Sequence, residues 1–197
     1  MANEWQLKTH QINAYCYYSG LFDAEMLDGI VETGDKIKAE QAQVGGTFTT
    51  PGGVDPNIRK TLISWIPTTE ENAWIFRKLT DVVLAANEQW FGFDLEHIEN
   101  LQYSVYNEGD FYERHVDHHF QGPGQYPRKL SFTMQLTDPS EYEGGETMLI
   151  TAKDPFAIPK DRGTITFFPS YTLHEVKPIT KGTRKALVGW IHGPRWK

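Results

Sequence analysis

From residue 101 onward the chain becomes a series of short apolar segments, at 101–106, 130–136, 147–151, 163–168, 173–176 and 185–191, rich in β-branched and aromatic residues. Turn-forming residues cut them apart at Asn107-Glu108-Gly109-Asp110, Gly122-Pro123-Gly124, Glu143-Gly144-Gly145, Asp161-Arg162-Gly163 and Lys181-Gly182. A parallel sheet needs a long crossover between strands, usually a helix. Evenly spaced short strands favour an antiparallel jelly roll instead.

The first hundred residues read differently. Asp23 is placed to cap a helix in which Met26, Leu27, Ile30 and Val31 recur at helical spacing until Gly34. Thr69-Glu70-Glu71-Asn72 opens a longer one, with Trp74, Ile75, Leu79, Val82, Val83 and Ala86 forming an apolar face up to about Trp90. Residues 5–19 suit an edge strand, and 62–66 a short strand ending at Pro67. Between them, 41–58 is a loop rich in Gly, Thr and Pro, in which 41–57 is long enough to serve as a lid over a site near His115. Helices followed by strands predict a mainly β protein, a two-layer core with helices packed outside. No linker divides the 197 residues, so a single domain is expected over 1–197, with 1–100 as a supporting region and 101–192 as a catalytic β core.

A net charge of -7 disfavours a phosphate-tracking surface and hence a nucleic-acid partner. The single cysteine, Cys16, cannot form an internal disulfide, and no N-terminal apolar run is long enough for a signal peptide or a membrane span. A reducing cytoplasm is the expected setting, with no membrane partner. Oligomeric state leaves no trace in the sequence.

The chemistry centres on Tyr112-Glu-Arg-His-Val-Asp117. Residues two apart on an extended strand share a face, so His115 and Asp117 can offer an imidazole and a carboxylate to one metal ion. His174, beyond what reads as a three-strand meander, is the candidate third ligand. Two histidines and a carboxylate on one side of an ion leave the other side open, a donor set suited to non-haem iron(II). His118 would point away from that face on a continuing strand, and with His119 it reads as a loop residue near a substrate entrance. His10, His97 and His192 show no partner pattern. Arg184, Ala186, Val188 and Trp190 share one face of the last strand, where a guanidinium beside small residues could grip a carboxylate. Lys185 competes for that role, and strand parity does not decide between them. Tyr103, Phe132, Trp65 and Trp190 fit either a substrate groove or the core. Gly144-Gly145 reads as a turn rather than a phosphate cradle, since no helix follows it.

Taken together, the stretches at 101–106, 112–117, 143–147, 173–176 and 182–190 resemble the 2-oxoglutarate- and iron(II)-dependent oxygenases, in their prolyl 4-hydroxylase-like branch. The resemblance implies a double-stranded β-helix in which His115, Asp117 and His174 bind iron(II) and Arg184 binds the distal carboxylate of 2-oxoglutarate. Tyr106 and Tyr112 would help to hold that co-substrate. It further implies O2 as oxidant, ascorbate among the cofactors, and a dioxygenase that hydroxylates an unactivated C–H bond and releases succinate and CO2. Halogenating relatives lack the carboxylate, so an intact Asp117 points to a hydroxylase. A peptidyl proline is the expected target. A free amino acid, small metabolite or nucleobase is the alternative substrate, and a non-catalytic metal-binding sensor the alternative role.

Overall fold

The computed structural model describes residues 12–45, 52–118 and 126–196. In chain order its elements are β1 (Cys16–Tyr18), α1 (Ala24–Lys36), β2 (Glu40–Gln41), β3 (Arg59–Lys60), β4 (Leu62–Ile66), α2 (Ala73–Ala86), β5 (His97–Ile98), β6 (Leu101–Tyr106), β7 (Phe111–His115) and β8 (Arg128–Gln135). There follow β9 (Tyr142–Gly144), β10 (Thr147–Ile150), β11 (Phe156–Ala157), β12 (Ile165–Pro169), β13 (Leu173–Val176), β14 (Ile179–Gly182) and β15 (Arg184–His192).

The helices form where capping and periodicity place them. The Asp23 carboxylate accepts the Met26 amide at 2.8 Å, and α1 buries Leu27 and Ile30. α2 buries Ile75, Leu79, Val82, Val83 and Ala86, then widens into a π-helical turn over Asn87–Phe91 that Gly92 ends at φ 65°. Trp74 departs from expectation: it is 36% exposed, its ring lying against Gly29 of α1.

The strands pair antiparallel into a double-stranded β-helix. The major sheet runs β1-β12-β8-β15-β6-β4-β2, with β5 also pairing β15, and the minor sheet runs β11-β10-β13-β7-β3. A short β9–β14 pair lies apart from both. Alternation along β15 shows how the major sheet divides its faces. Leu187 and Ile191 join α1 and α2 in the main apolar core, whereas Arg184, Ala186, Val188 and Trp190 line a cavity on the opposite side.

Within the first hundred residues β1, β2, β4 and β5 join the major sheet and β3 the minor one. One expectation needs correcting. The path from Asp117 to His174 is not a three-strand meander. Among the described residues it holds five strands: β8 and β12, paired in the major sheet, β10 and β11, paired in the minor, and β9, whose partner β14 follows His174. The switch between layers lies at Gly144 and Gly145, at φ 76° and 64°. A Cβ on Gly145 would collide with Ile179 and press on Arg184 Cδ at 3.2 Å, so only glycine lets the chain cross there. In the loop after β2, a Val44–Gly53 bridge ties the two arms together; residues 46–51, the middle of the expected lid, lie outside the described residues.

Candidate active site

The site forms where the minor sheet loses its regularity. β13 faces β7 with His174 opposite His115 and Val176 opposite Tyr112, so two steps on one strand match three on the other. The extra residue is a β-bulge. It leaves Glu113 and Arg114 both exposed and turns Tyr112 and His115, three apart, toward the same cavity. β7 then stops at His115, and Asp117 sits in a bend whose amide donates to the Ser170 carbonyl at 2.9 Å. Asp117 therefore reaches the site from a bend anchored on Ser170, not from the continuing strand that parity assumed. The His118 amide bonds the same carbonyl, and its ring Nδ1 turns to the Arg128 carbonyl.

His115, Asp117 and His174 bring one ligand atom each to within 4.8 Å of the others. His115 Nδ1 lies 2.8 Å from the Glu113 carbonyl and His174 Nδ1 2.9 Å from the Thr172 carbonyl. A carbonyl only accepts, so each Nδ1 carries the proton and each Nε2 presents its lone pair. Those lone pairs point at Asp117, with His115 Nε2 3.7 Å from Oδ1 and His174 Nε2 3.6 Å from Oδ2. Burial, then the neighbouring His174, depress the His115 pKa to about 3, which keeps the ring neutral. Burial raises the Asp117 carboxyl, whereas positive charge on the His174 and His115 side, a proton or a bound cation, lowers it below the usual range. The Trp190 indole N–H lies near enough to contribute, yet among the described residues neither it nor the buried Asp117 Oδ2 makes a hydrogen bond. Three acceptors thus converge with no donor among them, an arrangement that repels itself until a cation sits between. These residues fit a divalent metal of the iron(II) type.

Beside them lies a cavity of about 320 Å³, with Arg184 in its wall. Arg184 is 2% exposed; its Nε donates to Gln135 Oε1 at 3.2 Å and its Nη2 to Thr147 Oγ1 at 3.1 Å. Among the described residues no carboxylate pairs with it. A buried guanidinium held only by neutral acceptors has charge to spare for an anionic ligand. Tyr106, opposite Arg184 across β6 and β15, lies 5.4 Å beneath the guanidinium and lines the same cavity. Lys185 faces the other way, its Nζ on Asp35 at 2.8 Å and 3.0 Å. Trp65 and Trp190 line the cavity, while Tyr103 and Phe132 are core.

The sequence reading missed Gln135 and Thr147, which orient Arg184, and Arg59 and Arg128, which line the cavity. Strand parity from Ala186 across to Gln135 would have found the first. Nothing marks Arg59 in the sequence. His97 is exposed and stacks on His192, whose ring bonds Glu99; His10 and His119 lie outside the described residues.

Comparison with known proteins agrees with this geometry. Residues 101–192 match the family model of the 2OG-Fe(II) oxygenase superfamily. A PKHD-type hydroxylase of Synechococcus elongatus is 32% identical over 177 residues, covering 88% of this chain and 70% of that protein. The chain belongs to the 2OG-Fe(II) oxygenase superfamily. A PKHD-type hydroxylase of Gloeothece citriformis is 42% identical over 94 residues, 48% of this superfamily member and 43% of the relative. The chain thus matches less than half the length of that relative. In fold it is similar to a Pseudomonas putida prolyl-4-hydroxylase, with TM-score 0.70, 21% identity and coverage of 92% and 94% of the two chains. It is also similar to a Trichoplax adhaerens prolyl hydroxylase in complex with a hypoxia inducible factor peptide fragment, with TM-score 0.73, 17% identity and coverage of 91% and 84%.

Proposed function

We propose that this chain is an iron(II)- and 2-oxoglutarate-dependent dioxygenase that hydroxylates an unactivated C–H bond of a peptidyl proline, with release of succinate and CO2. The observation that carries the reading is the convergence of three donor-free acceptors, His115, Asp117 and His174, beside a cavity whose wall holds an arginine, Arg184, with no ion pair among the described residues. His115, Asp117 and His174 would hold the iron, which supplies O2 activation that side chains alone cannot perform. Arg184, oriented by Gln135 and Thr147, grips the distal carboxylate of 2-oxoglutarate, and Tyr106 and Tyr112 close the wall around it. Ala186 and Val188 leave room for the co-substrate's carbon chain, and Trp65 and Trp190, with ring centroids 6.1 Å apart, form an apolar flank that excludes water.

A peptide target is supported by the resemblance to the prolyl 4-hydroxylase-like branch and by the peptide carried by the Trichoplax neighbour. Glu40, Gln43 and Gly45 line the cavity, which fits the loop after β2 as a cover over bound peptide. The test is incubation with iron(II), 2-oxoglutarate and a library of proline-containing peptides, with mass spectrometry for oxygen addition and a succinate assay. Oxygen on proline supports the reading. Succinate without peptide modification removes the peptidyl substrate and leaves the oxygenase chemistry.

A further inference from the structure

The two metal-binding histidines are immobilised by different means. His174 is 6% exposed and wedged beside Phe168, with ring centroids 4.8 Å apart. His115 ends a strand whose preceding residues, Glu113 and Arg114, are exposed. Its Nδ1 hydrogen bond sets the tautomer but leaves the ring able to tilt about that contact. What stops the tilt is Tyr112, whose ring lies on the imidazole at 3.5 Å between centroids and 16° between planes. The bulge in β7 is the reason this stack exists, since without it residues three apart would face opposite ways.

Tyr112 is held in turn from its other partners. Its cross-strand neighbours are Val176 on β13 and Arg59 on β3, and the Arg59 guanidinium sits over its ring at 4.4 Å. Arg59 is 6% exposed, and among the described residues its Nε has no acceptor and it has no ion pair. Its Nη1 reaches the Gln43 carbonyl at 3.4 Å. A buried arginine with so little hydrogen bonding spends its planar face on the tyrosine.

We propose that Arg59 and Tyr112 are positioning residues for the metal site: a guanidinium–phenol–imidazole stack holds the His115 plane so that Nε2 aims at the point shared with Asp117 and His174. The proposal rests on the assignment of His115, Asp117 and His174 as metal ligands. Because Gln43 touches the outer layer of the stack, the segment at the cavity mouth is coupled to the metal ligand through Arg59 and Tyr112.

Titration of the full chain with cobalt(II), followed by its visible d–d absorption and by calorimetry, tests this without turnover. Tyr112→Leu removes the ring and is expected to weaken cobalt(II) affinity about 10-fold or more and to shift the absorption, the usual effect of losing a partner that orients a ligand. Tyr112→Phe keeps the ring and stays close to the unaltered protein. Arg59→Met, checked for folding by circular dichroism, shifts affinity and band in the same direction by less, and stands in if Tyr112→Leu does not fold. Unaltered affinity and spectrum in Tyr112→Leu, or in folded Arg59→Met, overturn the proposal. So does a Tyr112→Phe variant as damaged as Tyr112→Leu, because the hydroxyl and not the stack would then matter. Failure of the unaltered chain to bind cobalt(II) overturns the metal assignment itself, and the positioning role with it.

Discussion

The two sheets of this molecule are built to different standards. In the major sheet β15 runs in register with β6 from Arg184 to Val188 and with β8 from Ala186 to Ile191, and Phe132, Leu187, Leu130 and Ile165 are fully buried along it. The minor sheet has strands of two to five residues, and its register breaks beside His115 and His174. The regular sheet gives a stiff wall, on which Arg184 sits at a set depth. The irregular one turns three side chains from two strands and a bend onto one point. A regular ladder cannot bring residues 112 and 115 to one face, so irregularity here is what the chemistry requires.

The sharpest way to break this comparison is to damage each sheet in turn. His174→Ala should abolish cobalt(II) binding and succinate formation, while the thermal midpoint of the metal-free protein barely moves, because the deletion relieves a cluster of facing acceptors. Phe132→Ala, on the major sheet, should cost about 3–5 kcal/mol of stability. Its folded fraction should still bind cobalt(II) normally. A large stability loss from the first, or lost metal affinity in the folded second, would show that frame and site are not separable.

The wall itself can be tested at neighbouring positions that point opposite ways. Arg184→Met would leave a buried ligand carboxylate unpaired, about 3–5 kcal/mol, so the 2-oxoglutarate requirement should rise by orders of magnitude. Lys185→Met loses an exposed pair with Asp35, about 0.2–1 kcal/mol of stability, and should leave that requirement near normal. The reverse ranking in a co-substrate titration would reassign the pair. Gly145→Ala, in the fraction that still folds past its collision with Ile179, should raise the requirement too, though by less, since it crowds Arg184 Cδ without removing the guanidinium.

These differences also explain what could be read beforehand. β4, β6 and β13 occupy the segments expected from their β-branched and aromatic content, and α1 begins at its expected cap, because each of those signals is local. His115, Asp117 and His174 stood out through residue type. The reason given for Asp117 was incomplete: the strand ends before it, and a bend on Ser170 does the work assigned to parity. The bulge in β7, the pairing of Arg59 with Tyr112 and the layer switch at Gly144-Gly145 are set by partners distant in sequence. A propensity scale has no access to them.

The smallest expected effect concerns the one break in the β8–β15 ladder, between Ile191 and His192, where a charged cluster rather than a metal site has grown. His192 Nδ1 faces the Tyr126 carbonyl at 2.7 Å and its Nε2 faces the Glu99 carboxylate, so both nitrogens donate and the ring is an imidazolium. Glu99 also accepts from Arg128 Nε at 2.5 Å and Nη2 at 2.8 Å, and Arg128 lies over Trp190 at 3.9 Å. Burial would depress His192, but Glu99 and the Tyr126 carbonyl raise it above its ordinary value; burial would raise Glu99, but His192 and Arg128 hold it at about 2. A raised histidine stabilises fully below its unfolded pKa, about 6.5, and loses that contribution as pH climbs through the folded value. A depressed carboxylate stabilises fully above about 4.3 and loses its contribution as pH falls toward 2. Both contributions are therefore complete between about pH 4.3 and 6.5. His192→Gln should remove the alkaline decline, about 1.5–3 kcal/mol for a hydrogen bond to a charged group, while the acid decline persists because Arg128 still pairs with Glu99. The measurement is the difference in denaturant midpoint between variant and unaltered protein from pH 4 to pH 9, which cancels the other titrating groups. A constant difference across that range would mean that His192 binds its proton equally in the folded and unfolded chain, and that this irregularity, unlike the one in the minor sheet, carries no charge-dependent role.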